Sequence, residues 1–484
     1  MLMRIQKRIY GIENELGVVM RSSAGDWSEI RTGYAKKMLE PNSACVWVDP
    51  RLWHCNGGCI YVDTGEHPEY ATPECASITD AVLYAKAGEF IMRDIFSKPS
   101  AFNGERIILI KNNIGYGEPG ESEKSFGCHE NYLTHGFDVN DKTMVERFIP
   151  FLITRQIMDG AGWWQSDGTF LRSQRSTCIE KQVENATTSQ RPLITKRDTL
   201  NDTGPRRLHL ILGDANILDV ACFLKLGTTS LVLSLIESGL APEIEFEFPI
   251  QSMKRIASQP DITTPHPELR YKGKHLSAFD TQVIYHEAAQ LAFASAIFAS
   301  ERIREELQLV LHLWEQALHA LFANNITWMI GRIDYVTKQY LTERLIAQKQ
   351  FSSPSDIQTF RKNFDILYHN ITDREFQLRC NQRWPERRLI TDKQIEKACY
   401  FPPRETRAAM RGLFVASIVD ISNQVHSGID WKFCQDGELP ESNRRYSMDD
   451  PFISSSPKFI EFLISCLNLP HEKKVLRYAP ADIA

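Results

Sequence analysis

Residues Gly57–Cys75 read GGCIYVDTGEHPEYATPEC, and the fourteen positions from Tyr61 to Glu74 hold Tyr61, Asp63, Glu69, Thr72 and Glu74. Side chains alternate along an extended strand, so Cys59, Tyr61 and Asp63 take one face while Ile60 and Val62 take the other. The apolar face packs and the polar face lines a cavity. An earlier stretch, Arg8–Val19 (RIYGIENELGVV), repeats the arrangement with Glu13 and Glu15 on one face. Buried carboxylates are costly without countercharge, so two acidic strands with hydrophobic backs call for cations or a bound metal. Oxygen donors at this density suit a hard divalent cation; solvated edge strands are the plainer alternative.

Working outward, strands and helices alternate unevenly and without internal repeats, which is an α+β pattern. Ser77 and Asp80 form a capping-box signal ahead of the helix AVLYAKAGEFIMRDIF. RIILIKNN is the next strand, and the polar loop Gly115–Lys124 is placed to move over a ligand before SFGCHENYL, where His129 and Asn131 face one way. In RRLHLILGDAN, Leu208, Leu210 and Leu212 share one face, with Arg207 and His209 on the other. A face with carboxylates on some strands and cationic groups on others suits a metal-nucleotide, the carboxylates holding the cation and the fixed positive groups the phosphates. Structural ion pairs are the alternative for any one of these residues. Helical periodicity runs from Leu276 to about Leu321 and through Ile333–Gln350 and Pro354–Tyr368. The Pro pair of FPPRETRA marks a boundary that divides the chain into 1–401 and 402–484. Trp431, in GIDWKFC, lies in the smaller part, where a Trp near a turn is ordinarily a packing anchor.

The length of 484 residues exceeds what a single core usually supports, and 43% hydrophobic residues exclude disorder as the main state. A net charge of −5 gives no footprint for nucleic acid. Eleven cysteines without paired spacing, and an N-terminus that enters a strand directly, point to reduced thiols in the cytoplasm. No membrane span is expected: LKLGTTSLVLSLI is short of the roughly 18 residues required and ends at Glu237.

Taken together, GIENELG, IYVDTGEHPEYATPEC, KNN, GCHENYL, TRQ, RPLITKRD, RRLHLILGDAN, LKLGTTSLVLSLIESG and DW resemble the Pup ligase family (proteasome accessory factor A) and its paralogue, the Pup deamidase/depupylase. The resemblance implies a glutamine-synthetase-like catalytic domain over 1–401, a curved antiparallel sheet backed by helices, and a small C-terminal domain over 402–484. It implies ATP and Mg2+, with Glu13, Tyr61 and Glu69 at the metal, Thr72 and Trp431 at ATP, and Asp63 as catalytic base. Arg197, Arg207 and His209 fall in motifs lining the phosphate or acyl side. The implied reaction phosphorylates the C-terminal Glu side chain of a small disordered Pup-like modifier and joins it to a lysine of a protein substrate. Deamidation or depupylation, or ligation of a different carboxylate, are the alternatives. About forty residues separate Gly17 from Asn56, without the long insertion of the depupylase, which favours the ligase. Two departures stand out: Cys59 occupies the position where the family carries an ATP-contacting Arg, and the acidic segment after the RD pair is shortened to Asp198–Asp202.

Overall fold

The computed structural model describes residues 2–21, 27–29, 39, 44–48, 50–63, 65–96, 106–115, 125–187, 189–196, 206–419, 427–436, 443 and 445–466. The chain forms two compact units: a larger one within Met1–Arg8, Leu16–Glu29 and Glu105–Leu389, and a smaller one within Ile9–Glu15, Ile30–Gly104 and Ile390–Ala484. FPPRETRA therefore does not separate them, because the elements on both sides of it build the smaller unit.

In the smaller unit, β1 (Tyr10–Glu15), β2 (Cys45–Val48), β3 (Arg51–His54), β4 (Cys59–Val62) and β5 (Pro68–Ala71) pair in the order β1-β5-β4-β3-β2, every pair antiparallel. Between β3 and β4 the chain reverses through Asn56 and Gly57. The Asn56 side-chain oxygen accepts from the Gly58 N–H at 2.9 Å, and Gly57 sits at φ 84°, a left-handed conformation that glycine adopts without a Cβ clash. The register fixes which residues share a face. Val46 faces Trp53, Trp53 faces Cys59, Cys59 faces Ala71, and Ala71 faces Glu13. Two residues along on the same face, Tyr61 is opposite Glu69 and Glu69 is opposite Glu15. Leu52, Ile60 and Tyr70 form the back row.

Each face is covered differently. Behind the sheet lies α1 (Ile78–Phe96), whose Gly88 comes so near Tyr70 that a Cβ there would meet the ring at 2.2 Å. Beside it, α2 (Asp392–Tyr400) starts in a Thr391–Gln394 capping box and receives the Asn56 amide through Ala398 O at 3.2 Å. In front, Val46, Trp53, Cys59 and Ala71 pack against Met410, Phe414, Val415 and Ile418 of α3 (Ala408–Ile418), and this core extends to Ile429, Cys434, Met448, Phe459 and Leu463. Burying such a side chain contributes roughly 1.5–3 kcal/mol, which ties the C-terminal segment to the N-terminal strands.

In the larger unit, β6 (Cys128–Thr134), β7 (Lys181–Glu184), β8 (Pro192–Thr195) and β9 (Arg206–Leu210) pair in the order β7-β8-β9-β6. The β7/β8 pair is parallel, so the expectation of a purely antiparallel sheet gives way to a mixed one. Seven residues connect β7 to β8, and to pair in parallel they return over the roughly 13 Å of a four-residue strand instead of closing a tight hairpin. The stretch LKLGTTSLVLSLI, read as too short for a membrane span, belongs to the 19-residue helix Asp219–Glu237. That helix is long and apolar enough to cross a bilayer, but nearly all its side chains are buried inside the unit, where it serves as the core helix. The helical run expected from Leu276 to Leu321 is two helices, Ala278–Phe293 and Glu301–Phe322, interrupted where Ile297–Phe298 pairs with Arg4–Ile5. Loop residues 116–124 lie outside the described residues, so the expected lid does too.

Candidate active site

The register of the smaller unit sets Glu15, Glu69 and Tyr61 side by side on three adjacent strands, with Asp63 following on the same face just beyond β4. Asp63 is held by the β4–β5 hairpin: its N–H donates to His67 O at 3.0 Å, and its carbonyl accepts from the Glu66 N–H at 2.8 Å. Carboxylate oxygens of Glu15, Asp63 and Glu69 lie within 4.8 Å of one another. The Tyr61 hydroxyl donates to Glu69 Oε1 at 2.7 Å.

Burial raises the Glu69 carboxyl well above the usual range, and the charges of Glu13, Glu15 and Asp63 raise it further, against the hydrogen bond from Tyr61. Burial likewise pushes the Tyr61 phenol up, helped by Glu13 and Glu69. Carboxylates crowded until one resists ionisation form a site that a divalent cation would relieve. The donor set, all oxygen and mostly carboxylate, fits Mg2+ better than a thiophilic metal.

The residues expected at the metal therefore divide. Tyr61 and Glu69 stand in the acidic row. Glu13 lies one row along the same face opposite Ala71, and after burial it contributes most to raising Glu69. Glu15, noticed in the sequence but given no role, completes the triad. Alternation puts Glu13 and Glu15 on one face, but only the pairing of Glu15 with Glu69 singles it out.

Thr72 is buried beside the row, its hydroxyl accepting from the Ile12 N–H and its own N–H donating to Ile12 O, each at 3.0 Å. It thus locks the chain leaving β5 to β1. Trp431 meets Trp53 edge-on with ring centroids 4.9 Å apart, and the Arg411 guanidinium lies 4.7 Å from the Trp431 ring. Arg411 also donates to Trp431 O at 3.1 Å, to Gly57 O at 2.8 Å and to the Glu74 carboxylate. Arg407 donates to Glu74 Oε1 at 2.8 Å and to Met448 O at 2.9 Å. Burial alone would raise the Glu74 carboxyl, yet the two arginines hold it down at about 2. This buried clamp joins the Asn56–Gly57 turn, the chain after β5 and the Trp431 loop. Glu74 was visible in the sequence as one of the acids, but no signal there linked it to Arg407 or Arg411, more than 330 residues away.

In the larger unit, His129 and Asn131 of β6 share a face with Arg207 and His209 of β9, and Asn131 is paired with His209. Arg207 Nε donates to Asn131 Oδ1 at 2.7 Å, and the two histidine rings meet edge-on at 4.9 Å. Behind this face, Glu130 is buried against Arg155, which also pairs with Asp159 at 3.1 Å and so anchors β6. Arg197 and the segment Asp198–Asp202 lie outside the described residues.

The family model described as Pup-ligase protein matches residues 8–435. A Pup–protein ligase of Acidimicrobium ferrooxidans is 32% identical over 484 residues, spanning 96% of this chain and 99% of its own length. That of Corynebacterium diphtheriae is 33% identical, spanning 88% of each. The crystal structure of the complex between the prokaryotic ubiquitin-like protein Pup and its ligase PafA superposes with a TM-score of 0.80 at 26% identity, covering 98% of both chains. The Pup ligase PafA in complex with ADP gives 0.71 at 28% identity, covering 87% of this chain and 90% of that one.

Proposed function

We propose that this chain, which belongs to the Pup-ligase protein family, is an ATP-dependent ligase that activates the C-terminal Glu side chain of a Pup-like modifier and transfers it to a lysine of a protein substrate. The observation that carries this reading is the convergence of Glu15, Asp63 and Glu69 beside Tyr61 on one sheet face, in a chain whose relatives are Pup–protein ligases. Glu15 and Glu69, with Glu13 and Tyr61 beside them, would hold Mg2+, which when bound neutralises phosphate oxygens and favours phosphoryl transfer.

A carboxylate does not acylate an amine at neutral pH, because its carbonyl is resonance-stabilised and hydroxide leaves poorly. Phosphorylation by ATP gives a γ-glutamyl phosphate, whose phosphate leaves readily. The incoming lysine is mostly protonated near pH 7, and Asp63, half-buried at the edge of the acidic row, takes its proton as the isopeptide bond forms and inorganic phosphate departs. Trp431, backed by Trp53 and Arg411, offers a flat wall for the base of the nucleotide. Thr72 acts by holding β1 and β5 together, and Arg207 and His209 are the phosphate or acyl candidates of the larger unit.

The finer architecture under this reading is a glutamine-synthetase-like cradle in which α3 and the Trp431 segment close the nucleotide side of the acidic face, and the protein works in the cytoplasm. The test is incubation with ATP, Mg2+ and a Pup-like protein ending in Glu, followed by mass spectrometry of lysine conjugates. ADP and isopeptide-linked products are expected. Ammonia release from a Gln-ended modifier without conjugation would instead make it a deamidase.

A further inference from the structure

The acidic row of the smaller unit does not end at Tyr61. One residue further along the register that pairs Leu52 with Ile60 and Trp53 with Cys59, Arg51 of β3 stands opposite Tyr61 on the same face. Four adjacent strands thus present Arg51, Tyr61, Glu69 and Glu15 in a line, cationic at one end and anionic at the other. At about 4.8 Å between strands, Arg51 lies roughly 10 Å along the sheet from Glu69. That span suits a phosphate chain bound through a cation at the acidic end and a guanidinium at the other.

The side chain is available for this. The Arg51 guanidinium is 6.0 Å from the Tyr61 ring, and Nη1 is 3.4 Å from Asp430 Oδ1, with the two side chains 40% and 45% exposed. An ion pair so long and so wet is worth little, whereas a bidentate arginine–phosphate contact is among the stronger charge-assisted interactions. Asp430 adjoins Trp431 and accepts from its N–H at 2.6 Å, so Arg51 lies between the acidic row and the aromatic wall. Arg407 and Arg411 are committed to Glu74 and to backbone carbonyls. Cys59, diagonal to Arg51 on this face, is fully buried and brings no charge.

We propose that Arg51 is the nucleotide-contacting cation of this unit, neutralising the phosphate chain of ATP at the end of the row away from the metal. The proposal rests on the reading of the acidic row as a metal–nucleotide site. Titration calorimetry on the full chain, with MgATP, MgADP and adenosine as ligands, tests it on wild type, Arg51→Ala, Arg51→Gln and Arg51→Lys. A charged hydrogen-bonding partner lost at a phosphate weakens binding roughly 10- to 100-fold. Arg51→Ala and Arg51→Gln are expected to lose that much for MgATP and for MgADP and nothing for adenosine, with Arg51→Lys between them and wild type. Because Arg51 is half exposed, the variants should melt with wild type. MgATP binding within twofold of wild type would overturn the assignment, as would an equal loss for adenosine or unfolding of all three variants. If wild type itself binds no MgATP, the underlying reading falls as well.

Discussion

Replacing Glu74 by Gln removes the charge from the clamp while keeping its shape. Glu74 sits at 12% side-chain exposure between Arg407 and Arg411, and Arg411 is fully buried. The carboxyl is held at about 2 against an ordinary 4.5, a difference worth roughly 3 kcal/mol at about 1.4 kcal/mol per pH unit. Breaking a buried pair from one side, which strands the partner charge, independently suggests about 3–5 kcal/mol. Glu74→Gln should therefore destabilise the smaller unit by roughly 3 kcal/mol at pH 7. The sign of the pH dependence follows from the lowered carboxyl. Its stabilisation is fully present above about 4.5 and is lost as pH falls through about 2, so the gap between variant and wild type should close across that window. Guanidinium unfolding curves at pH 7, 4 and 2.5, followed by tryptophan fluorescence from the Trp53–Trp431 pair, would measure it. A variant within about 1 kcal/mol of wild type at pH 7, or a gap that stays constant from pH 7 to 2.5, would refute the clamp as a charge-based device. Because Arg411 also holds Gly57 O and Trp431 O, the same variant should bind nucleotide more weakly even where it remains folded.

Asp63→Asn should lower isopeptide formation by at least about 100-fold while MgATP binding changes far less; conjugation at wild-type rate in a gel assay would remove Asp63 from its role. Glu69→Gln should weaken Mg2+ binding, read by calorimetry with the metal alone. It should also flatten the pH dependence of the metal-free protein. A carboxyl raised by burial and by Glu13 and Glu15 contributes stability below about 4.5 that is lost as pH rises, so metal-free wild type should gain melting temperature on acidification from pH 7 toward 5 and the variant should not. Gly88→Ala should cost roughly 1–3 kcal/mol in chemical denaturation, since the new Cβ would press into the Tyr70 ring and part α1 from the sheet.

How far the sequence discloses this site depends on the range of the interactions that build it. Alternation along one strand is a local rule, and it placed Tyr61 with Asp63 and Glu13 with Glu15 on polar faces that the structure reproduces. Register is not local. Whether Glu13 or Glu15 meets Glu69 depends on how β1 aligns with β5, and Thr72, bonded to both amide and carbonyl of Ile12, holds that alignment. The same holds for Arg51, which in sequence is one more arginine before a WHCNGG turn and becomes the end of the acidic row only once β3 is paired with β4. Least legible was the C-terminal segment. The Pro pair of FPPRETRA is a real break in helicity, between α2 and α3, but a break in helicity is not a break in the core. Those two helices cover opposite faces of one sheet, α2 meeting Asn56 behind it and α3 meeting Trp53 and Cys59 in front. Phe414, Phe459 and Leu463 could not keep that apolar surface out of water without the N-terminal strands, and Trp431 could not stand at the rim of the acidic row without Arg411 and Glu74. The acidic row and Trp431 are thus brought together by distant stretches of the chain folding onto each other, which is why cutting at residue 401 should abolish nucleotide binding by the fragment that keeps Glu15, Asp63 and Glu69.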